Sequence, residues 1–292
     1  MILLLGGRGF VGTAFAHSLA KRSLAFEVVS RRQCDYTRLD HLIALIDQTN
    51  PSFLINAAGY TGQPNVEACE DHKAECLMGN AVLPGVIRQA CELRGLPWGH
   101  VSSGCIYSGA GNRGHAGAAL GHRETDPPNF CFRSPPCSFY SGSKALGEEC
   151  LQGAESVFVW RLRIPFSCRD GSRNYLSKLM HYERLLDVTN SLAELDEFVD
   201  ACLYCWQHRV PFGTYNVVNS GAITTREVVG LIINCLKTDR EFKYFRDEAE
   251  FMQATARVPR SSCVLDNSKL LRTGFPMSNV HDAIRRSLLN WQ

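Results

Sequence analysis

Short apolar runs alternate with longer amphipathic ones from the first residue: MILLL, then FVGTAFAHSLAKR, FEVVS, LDHLIALIDQT and FLINAAG. The short runs are rich in Leu, Ile, Val and Phe, as strands buried on both faces are. The longer ones repeat apolar residues every three or four positions, as a helix packed along one side does. The order is therefore βαβαβ, which predicts an α/β fold with a parallel, doubly wound sheet of the Rossmann type. The pattern continues with AECLMGNAVLPGVIRQACELRG as one helix, WGHVSS as a strand, a glycine-rich loop from Gly109 to Gly121, a helix holding YSGSKALGEECL, and the strand VFVWRLR. After Pro165 it becomes less regular, with two helices, the strand TYNVVN, the helix TTREVVGLIINCLK and a basic loop at RVPRSS. This predicts a sheet domain over residues 1–165, to which 188–220 return, and a smaller, partly interleaved cap made mainly of 166–187 and 221–292.

MILLL runs straight into GGRGFVG, so Gly6, Gly9 and Gly12 fall where the first strand turns into the first helix. Glycines there permit a tight turn and a close backbone approach to a pyrophosphate, which the helix N-terminus favours electrostatically. A glycine-rich turn by itself is often just a surface loop. Directly after an N-terminal strand it points to a dinucleotide held by Gly6, Arg8, Gly9, Phe10, Val11 and Gly12. An NAD site carries an acid at the end of the second strand to bind the ribose 2′-hydroxyl. Here the strand ends in Ser30, Arg31 and Arg32. Two guanidiniums without a carboxylate suit the 2′-phosphate of NADPH, with Asp35 as an adenine contact; the alternative is that the arginines point to solvent.

In FYSGSKALGEE, Tyr140 and Lys144 stand four residues apart, so a helix projects both from one face. A neighbouring ammonium stabilises a phenolate, which would make the tyrosine a usable acid or base. The strand WGHVSS delivers Ser103 to the sheet's C-terminal edge, where its hydroxyl can polarise a carbonyl. The three side chains together predict hydride transfer at a carbonyl carbon, with Tyr140 handling the oxygen's proton.

Composition narrows the partners. An apolar fraction of 45% and a charged fraction of 21% are ordinary for a globular chain, and a formal charge of +2 without a polybasic run excludes nucleic acid as an expected partner. MILLLGG lacks the charged region and length of a secretion signal, and no apolar stretch is long enough to span a bilayer, so no membrane partner and a cytoplasmic location are expected. The thirteen cysteines then read as reduced thiols. Cys202 and Cys205 have zinc-like spacing but no second pair to answer them, so no metal is expected.

GGRGFVG, INAAG, VSSGCIY and YSGSK together resemble the extended short-chain dehydrogenases that act on nucleotide sugars. Longer strings are similar to the reductases that finish 6-deoxyhexose synthesis: dTDP-4-dehydrorhamnose reductase, GDP-fucose synthase and, most fully, the plant-type UDP-4-keto-6-deoxyglucose 3,5-epimerase/4-reductases. These strings are NAAGYTGQPNVEACEDHK, SSGCIY, DPPNF, SFYSGSKALGEE, RLRIPFS, RNYLSKLMHYERL and VPRSSCVLDNSKL, which span nearly the whole chain. Two departures stand out, Ser103 where the plant enzymes carry threonine and an inserted glycine-rich loop near Gly114.

The resemblance implies reduction of the C4 ketone of an NDP-4-keto-6-deoxyhexose by NADPH, preceded by 3,5-epimerisation, to give an L-rhamnose-type nucleotide sugar. It implies that Asn56, Ala57, Ala58 and Asn80 line the cofactor pocket, that Gly104, Asn174 and Arg260 face the sugar nucleotide with Ser103, and that Cys105 and Lys178 are the epimerase acid–base pair. In an extended strand Cys105, two residues past Ser103, points to the same side. A homodimer is implied as well. The competing readings are a plain 4-reductase and a non-catalytic regulatory subunit that binds nucleotide. Retention of Ser103, Tyr140 and Lys144 argues against the latter.

Overall fold

The computed structural model, described for residues 1–63, 65–113 and 119–292, places six strands in one sheet: Ile2–Leu5 (β1), Phe26–Val29 (β2), Phe53–Asn56 (β3), Trp98–Ser103 (β4), Val157–Leu162 (β5) and Gly213–Asn216 (β6). Their order is β2-β1-β3-β4-β5-β6, and every pairing is parallel. The main helices are α1 (Phe10–Lys21), α2 (Leu39–Thr49), α3 (Leu83–Arg94), α4 (Phe139–Glu149), α5 (Tyr175–His181), α6 (Leu195–Gln207), α7 (Thr225–Leu236) and α8 (Val280–Leu289). The doubly wound α/β sheet expected from the alternation is present. Its strand order reverses at β1, and β3 leaves on the opposite side from β2, opening the crevice where such sheets bind ligands.

Side chains alternate across the sheet as the strand period of two requires. Ile2 and Leu4 join Phe15 of α1 and Phe198 of α6 on one face, whereas Leu3 and Leu5 join Leu42 and Ile46 of α2 and Ile87 of α3 on the other. Trp160 of β5, paired with Val101 of β4, lays its ring over Gly99 two residues back; a methyl group there would stand 2.0 Å from the indole ring. A third core gathers Phe166, Leu179, Ile223, Val228, Ile232 and Ile284, around α5, α7 and α8. Leu270 and Met277, from the C-terminal third, pack instead in the first sheet core.

The expected single helix from AECLMGNAVLPGVIRQACELRG is divided. Residues Lys73–Leu77 are α-helical, Met78–Val82 open into a π-helical turn, and α3 follows. Pro84 accounts for the division. It lacks an N–H and its ring crowds the carbonyl four residues back, so it is tolerated in the first turn of a fresh α segment after a widened turn. In the glycine-rich loop, Asn112–Arg113 pair antiparallel with Ala119–Gly121, while the insertion expected near Gly114 lies outside the described residues.

Candidate active site

The turn after β1 has no room for side chains at Gly6 or Gly12. Gly6 has φ +75°, and a Cβ on it would stand 2.4 Å from the Ala58 nitrogen; one on Gly12 would stand 2.1 Å from the Gly6 oxygen. The Gly6 oxygen instead accepts from the Gly9 N–H at 3.0 Å, and α1 starts at Phe10 with Gly9 as its cap. Above this turn a cavity of about 610 Å³ is lined by Gly6, Gly9, Arg31, Tyr36, Ala57 and Ala58. A second cavity, of about 520 Å³, shares Gly9, Ala57, Ala58 and Gly59 with it. The second is lined further by Arg8, Phe10 and Val11 and reaches Ser103, Tyr140, Lys144 and Lys178. One cleft therefore connects the glycine turn to the chemical groups.

Local capping fixes those groups. Ser138 caps α4, its Oγ accepting from the Ser141 N–H at 3.1 Å, so Tyr140 falls in the first turn and Lys144 one turn later on the same side. Lys144 is 5% exposed, and its Nζ donates to the Val101 carbonyl on β4 at 3.2 Å. Burial lowers the Lys144 pKa, opposed by Cys105 and Glu148. Burial pushes the Tyr140 phenol up, with Cys105 adding to the rise and a hydrogen bond with Ser103 opposing it. A raised pKa favours the protonated form of this phenol, the form in which it can donate. Burial lowers the Lys178 pKa as well, with the Arg173 and Arg260 guanidiniums adding to it, toward a neutral amine.

Several residues expected in the site take other positions. The chain does not continue as a strand past Ser103. Gly104–Ile106 form a 3₁₀ turn, whose first free N–H, that of Cys105, is taken by Ser103 Oγ at 3.2 Å. Cys105 is consequently 5% exposed, packed with Ile106, Cys131 and Tyr140 behind the cavity wall, and Gly104 lies buried against Leu265. Asn56 does not line the pocket. It is buried, with its Nδ2 on His100 Nδ1 at 3.0 Å and its Oδ1 accepting from the Ala58 N–H at 3.0 Å.

Asn80 is buried too and acts as a brace. Its Oδ1 accepts from the Tyr60 N–H at 2.9 Å, and its Nδ2 donates to the Tyr60 carbonyl at 2.8 Å and to Ser143 Oγ at 3.1 Å. Asn174 is buried and lines neither cavity. It caps α5 and donates to the carbonyls of Ser167 at 2.9 Å and Arg169 at 2.6 Å. Arg260 pairs with Glu67 at 2.7 Å and is not part of the cavity wall. Of the pair at the end of β2, both are exposed, and Arg31 lines the first cavity while Arg32 does not; Asp35 is exposed and bonded to Thr37 Oγ1 at 2.6 Å.

The cleft also has walls the sequence did not single out. Tyr36 and Thr37 line the first cavity; Thr61, Gln63 and Arg173 line the second. Arg173 also donates to the Gly62 carbonyl at 2.7 Å, tying α5's leading segment to the 59–63 loop. A signal was present, since Thr61, Gln63 and Arg173 all lie inside strings that carry the family resemblance. Cys202 and Cys205 are buried on α6 in the first sheet core. Among the described residues no helix is long and apolar enough to cross a membrane.

A family model described as "RmlD substrate binding domain" matches residues 1–292. The bifunctional dTDP-4-dehydrorhamnose 3,5-epimerase/dTDP-4-dehydrorhamnose reductase of Arabidopsis thaliana is 32% identical over 276 residues, 94% of this chain and 87% of that one. A trifunctional UDP-glucose 4,6-dehydratase/UDP-4-keto-6-deoxy-D-glucose 3,5-epimerase/UDP-4-keto-L-rhamnose reductase of the same plant is 29% identical over 275 residues, 94% of this chain but 39% of its own length. Among solved structures, the UDP-rhamnose synthase of Acanthamoeba polyphaga mimivirus superposes with a TM-score of 0.89 at 20% identity, covering 99% of this chain and 98% of that one. The dTDP-4-dehydrorhamnose reductase of Bacillus anthracis, solved in complex with NADP, gives 0.78 at 17% identity, covering 99% and 98%. At such identities the structures establish a shared fold.

Proposed function

This chain belongs to the RmlD substrate-binding-domain family, and on that premise we propose that it reduces the C4 ketone of an NDP-4-keto-6-deoxyhexose with NADPH, after inverting C3 and C5. The observation that carries the reading is the single cleft that joins the glycine turn to Ser103, Tyr140, Lys144 and Lys178. The residues fit the cofactor. The cradle at Gly6 and Gly12 admits a pyrophosphate against the start of α1, and Arg31 lines the adjoining cavity at the end of β2 in place of a carboxylate. NADPH, when bound, supplies the hydride for C4.

The chain's own groups handle the oxygen and the protons. The Ser103 and Tyr140 hydroxyls donate to the ketone oxygen. Tyr140, kept protonated by burial, hands its proton to that oxygen, and the Lys144 ammonium one turn away offsets the charge left on the phenolate. C3 and C5 flank the same ketone, so an enolate formed by removing a proton from either carbon rests its charge on the oxygen held by these hydroxyls. Lys178, on the cavity wall and pushed toward the neutral amine, takes that proton; Cys105 returns one on the other face. The same reading carries a homodimer and a cytosolic location; all thirteen thiols are unpaired, which suits a reducing compartment.

One observation favours a second reading, a 4-reductase that receives sugar already epimerised: Cys105 lies behind the wall rather than on it. Incubation with UDP- or dTDP-4-keto-6-deoxyglucose in D₂O without NADPH separates the two. Deuterium at C3 and C5, lost in Cys105→Ala and in Lys178→Ala, is the result expected of the bifunctional enzyme. No uptake by the wild type would leave the 4-reductase. Product sugars formed with NADPH are then identified by NMR.

Cofactor choice gives a further expected result. Arg31→Ala should raise the KM for NADPH by about tenfold or more while changing that for NADH little, because a lost charged contact to phosphate is worth about 1.5–3 kcal/mol. Arg32→Ala, whose side chain stands off the cavity, should have the smaller effect. Equal losses with both cofactors would remove Arg31 from 2′-phosphate recognition.

A further inference from the structure

Ile164 lies two residues past the end of β5 with φ +37°, and among the described residues no other β-branched side chain has a positive φ. A branched residue is strained there, and the proline that follows it, Pro165, favours an extended backbone instead. Such a conformation persists only where its neighbours impose it. On one side Arg163 is buried, and one of its terminal nitrogens donates to Asn190 Oδ1 and to the Ser261 carbonyl, both at 2.6 Å. On the other, Pro165 and Phe166 pair in parallel with Ala193 and Glu194, and the Phe166 side chain is fully buried. The backbone between these two anchors has to turn at Ile164.

The turn sets Ile164 in the wall of the cavity that holds Ser103, Tyr140 and Lys178, together with Leu162 and Pro165. Ile164 is half-buried and packs against the third core, which includes Leu176 and Leu179 of α5, the helix that carries Lys178. An apolar patch thus shares one cavity with the groups that handle protons. The proposed substrate has one wholly apolar substituent to offer it, the C6 methyl group; the other substituents of the ring are oxygens. C6 hangs from C5, which neighbours the C4 ketone and is one of the two carbons assigned to Lys178. A wall packed on the helix of Lys178 is therefore where that methyl group falls.

We propose that Ile164 is a specificity-determining residue that receives the C6 methyl group and so selects 6-deoxy sugars over their 6-hydroxy counterparts. The inference rests on the reading of this site as a nucleotide-sugar 4-ketoreductase. Against Ile164 the methyl group leaves water at a gain, because it is apolar. A 6-hydroxyl in the same place would lose its water and find no partner among the Leu162, Ile164 and Pro165 side chains. The strained backbone is held from both sides, so the wall keeps its shape when the sugar enters.

The test sets UDP- or dTDP-4-keto-6-deoxyglucose against the 4-ketoglucose of the same nucleotide, in competition, with NADPH. The sugars are supplied before epimerisation if the D₂O experiment finds uptake, and after it if not. The ratio of the two products, read by NMR, gives the ratio of kcat/KM. The wild type is expected to prefer the 6-deoxy sugar by about tenfold to two-hundredfold, the range a methyl-sized difference commands in an apolar pocket. Ile164→Asn, whose side chain suits a left-handed backbone, should lower that preference about tenfold, whereas Ile164→Leu should keep it. A residue needed only for the fold would slow both sugars together and leave the ratio unchanged, and that outcome would overturn the inference. So would a wild type that takes both sugars equally well. No reduction of either sugar by the wild type would overturn the ketoreductase reading, and this inference with it. If Ile164→Asn does not fold, Ile164→Gly, which relieves the strain and removes the side chain, makes the same comparison.

Discussion

Replacing Tyr140 with phenylalanine is expected to cut NADPH-dependent reduction by about 10²–10⁴-fold, the range a positioned general acid supplies. The ring is expected to stay in place, since phenylalanine keeps the apolar surface that packs against the cluster holding Cys105 and Ala145. What disappears is the proton donor. Burial pushes that phenol up, toward the protonated form that the proposed acid requires. Cofactor affinity should change little, because the glycine cradle and Arg31 lie at the other end of the cleft. Turnover measured beside NADPH binding decides the matter. A variant that binds NADPH normally and still turns over at the wild-type rate would take the acid's role away from Tyr140.

The second large effect concerns stability. Arg161 and Glu148 form an ion pair between β5 and α4, with side chains 5% and 12% exposed and a 2.7 Å contact. Glu148 also accepts from the Ser102 hydroxyl at 2.5 Å, and the Arg161 guanidinium lies over the Tyr107 ring at 5.2 Å. Arg161→Met should destabilise the fold by about 3–5 kcal/mol, because it strands a carboxylate in a site that water barely reaches. The double variant Arg161→Met with Glu148→Leu should regain much of that loss, since two apolar groups of similar volume carry no charge to desolvate. Denaturant midpoints of the wild type, single and double variants give the comparison. Equal losses in the single and double variants would mean that the pair's packing, not its charge, is what the fold uses. Glu148 is also one turn from Lys144 and favours its ammonium form, so freeing this carboxylate should disturb activity before it unfolds the protein.

The sheet was legible because its inner strands are short runs with a buried side chain at nearly every position: Ile2–Leu5, Phe53–Asn56 and Val157–Leu162 are buried throughout. The cofactor turn was legible because Gly6 and Gly12 are sites where any Cβ would collide with backbone. Asparagines were less readable. Asn56, Asn80 and Asn174 lie beside the expected site, yet each spends its amide on backbone groups, and a buried brace has the same letter and the same neighbours in sequence as a ligand contact. The placing of Cys105 was hard to read for a different reason. Two-residue alternation holds while a strand lasts, and Ser103 ends this one by capping the turn that follows. The widened turn at Met78–Val82 arises from a proline whose tolerated position depends on the neighbouring helix, which periodicity does not record.

The Asn80 brace has a consequence for how the enzyme cycles. Through Asn80 the Tyr60 backbone is joined to Ser143 Oγ, and Ser143 Oγ in turn donates to the Tyr140 carbonyl at 2.8 Å. This chain of amide and hydroxyl contacts closes entirely within the protein. The dinucleotide-facing loop and the proton-donating helix are thus preorganised relative to each other before any ligand arrives, and little conformational entropy remains to be lost there when one binds. On the proposed reading, spent cofactor would leave and fresh cofactor enter without Tyr140 losing its alignment, and successive turnovers would begin from the same arrangement of groups.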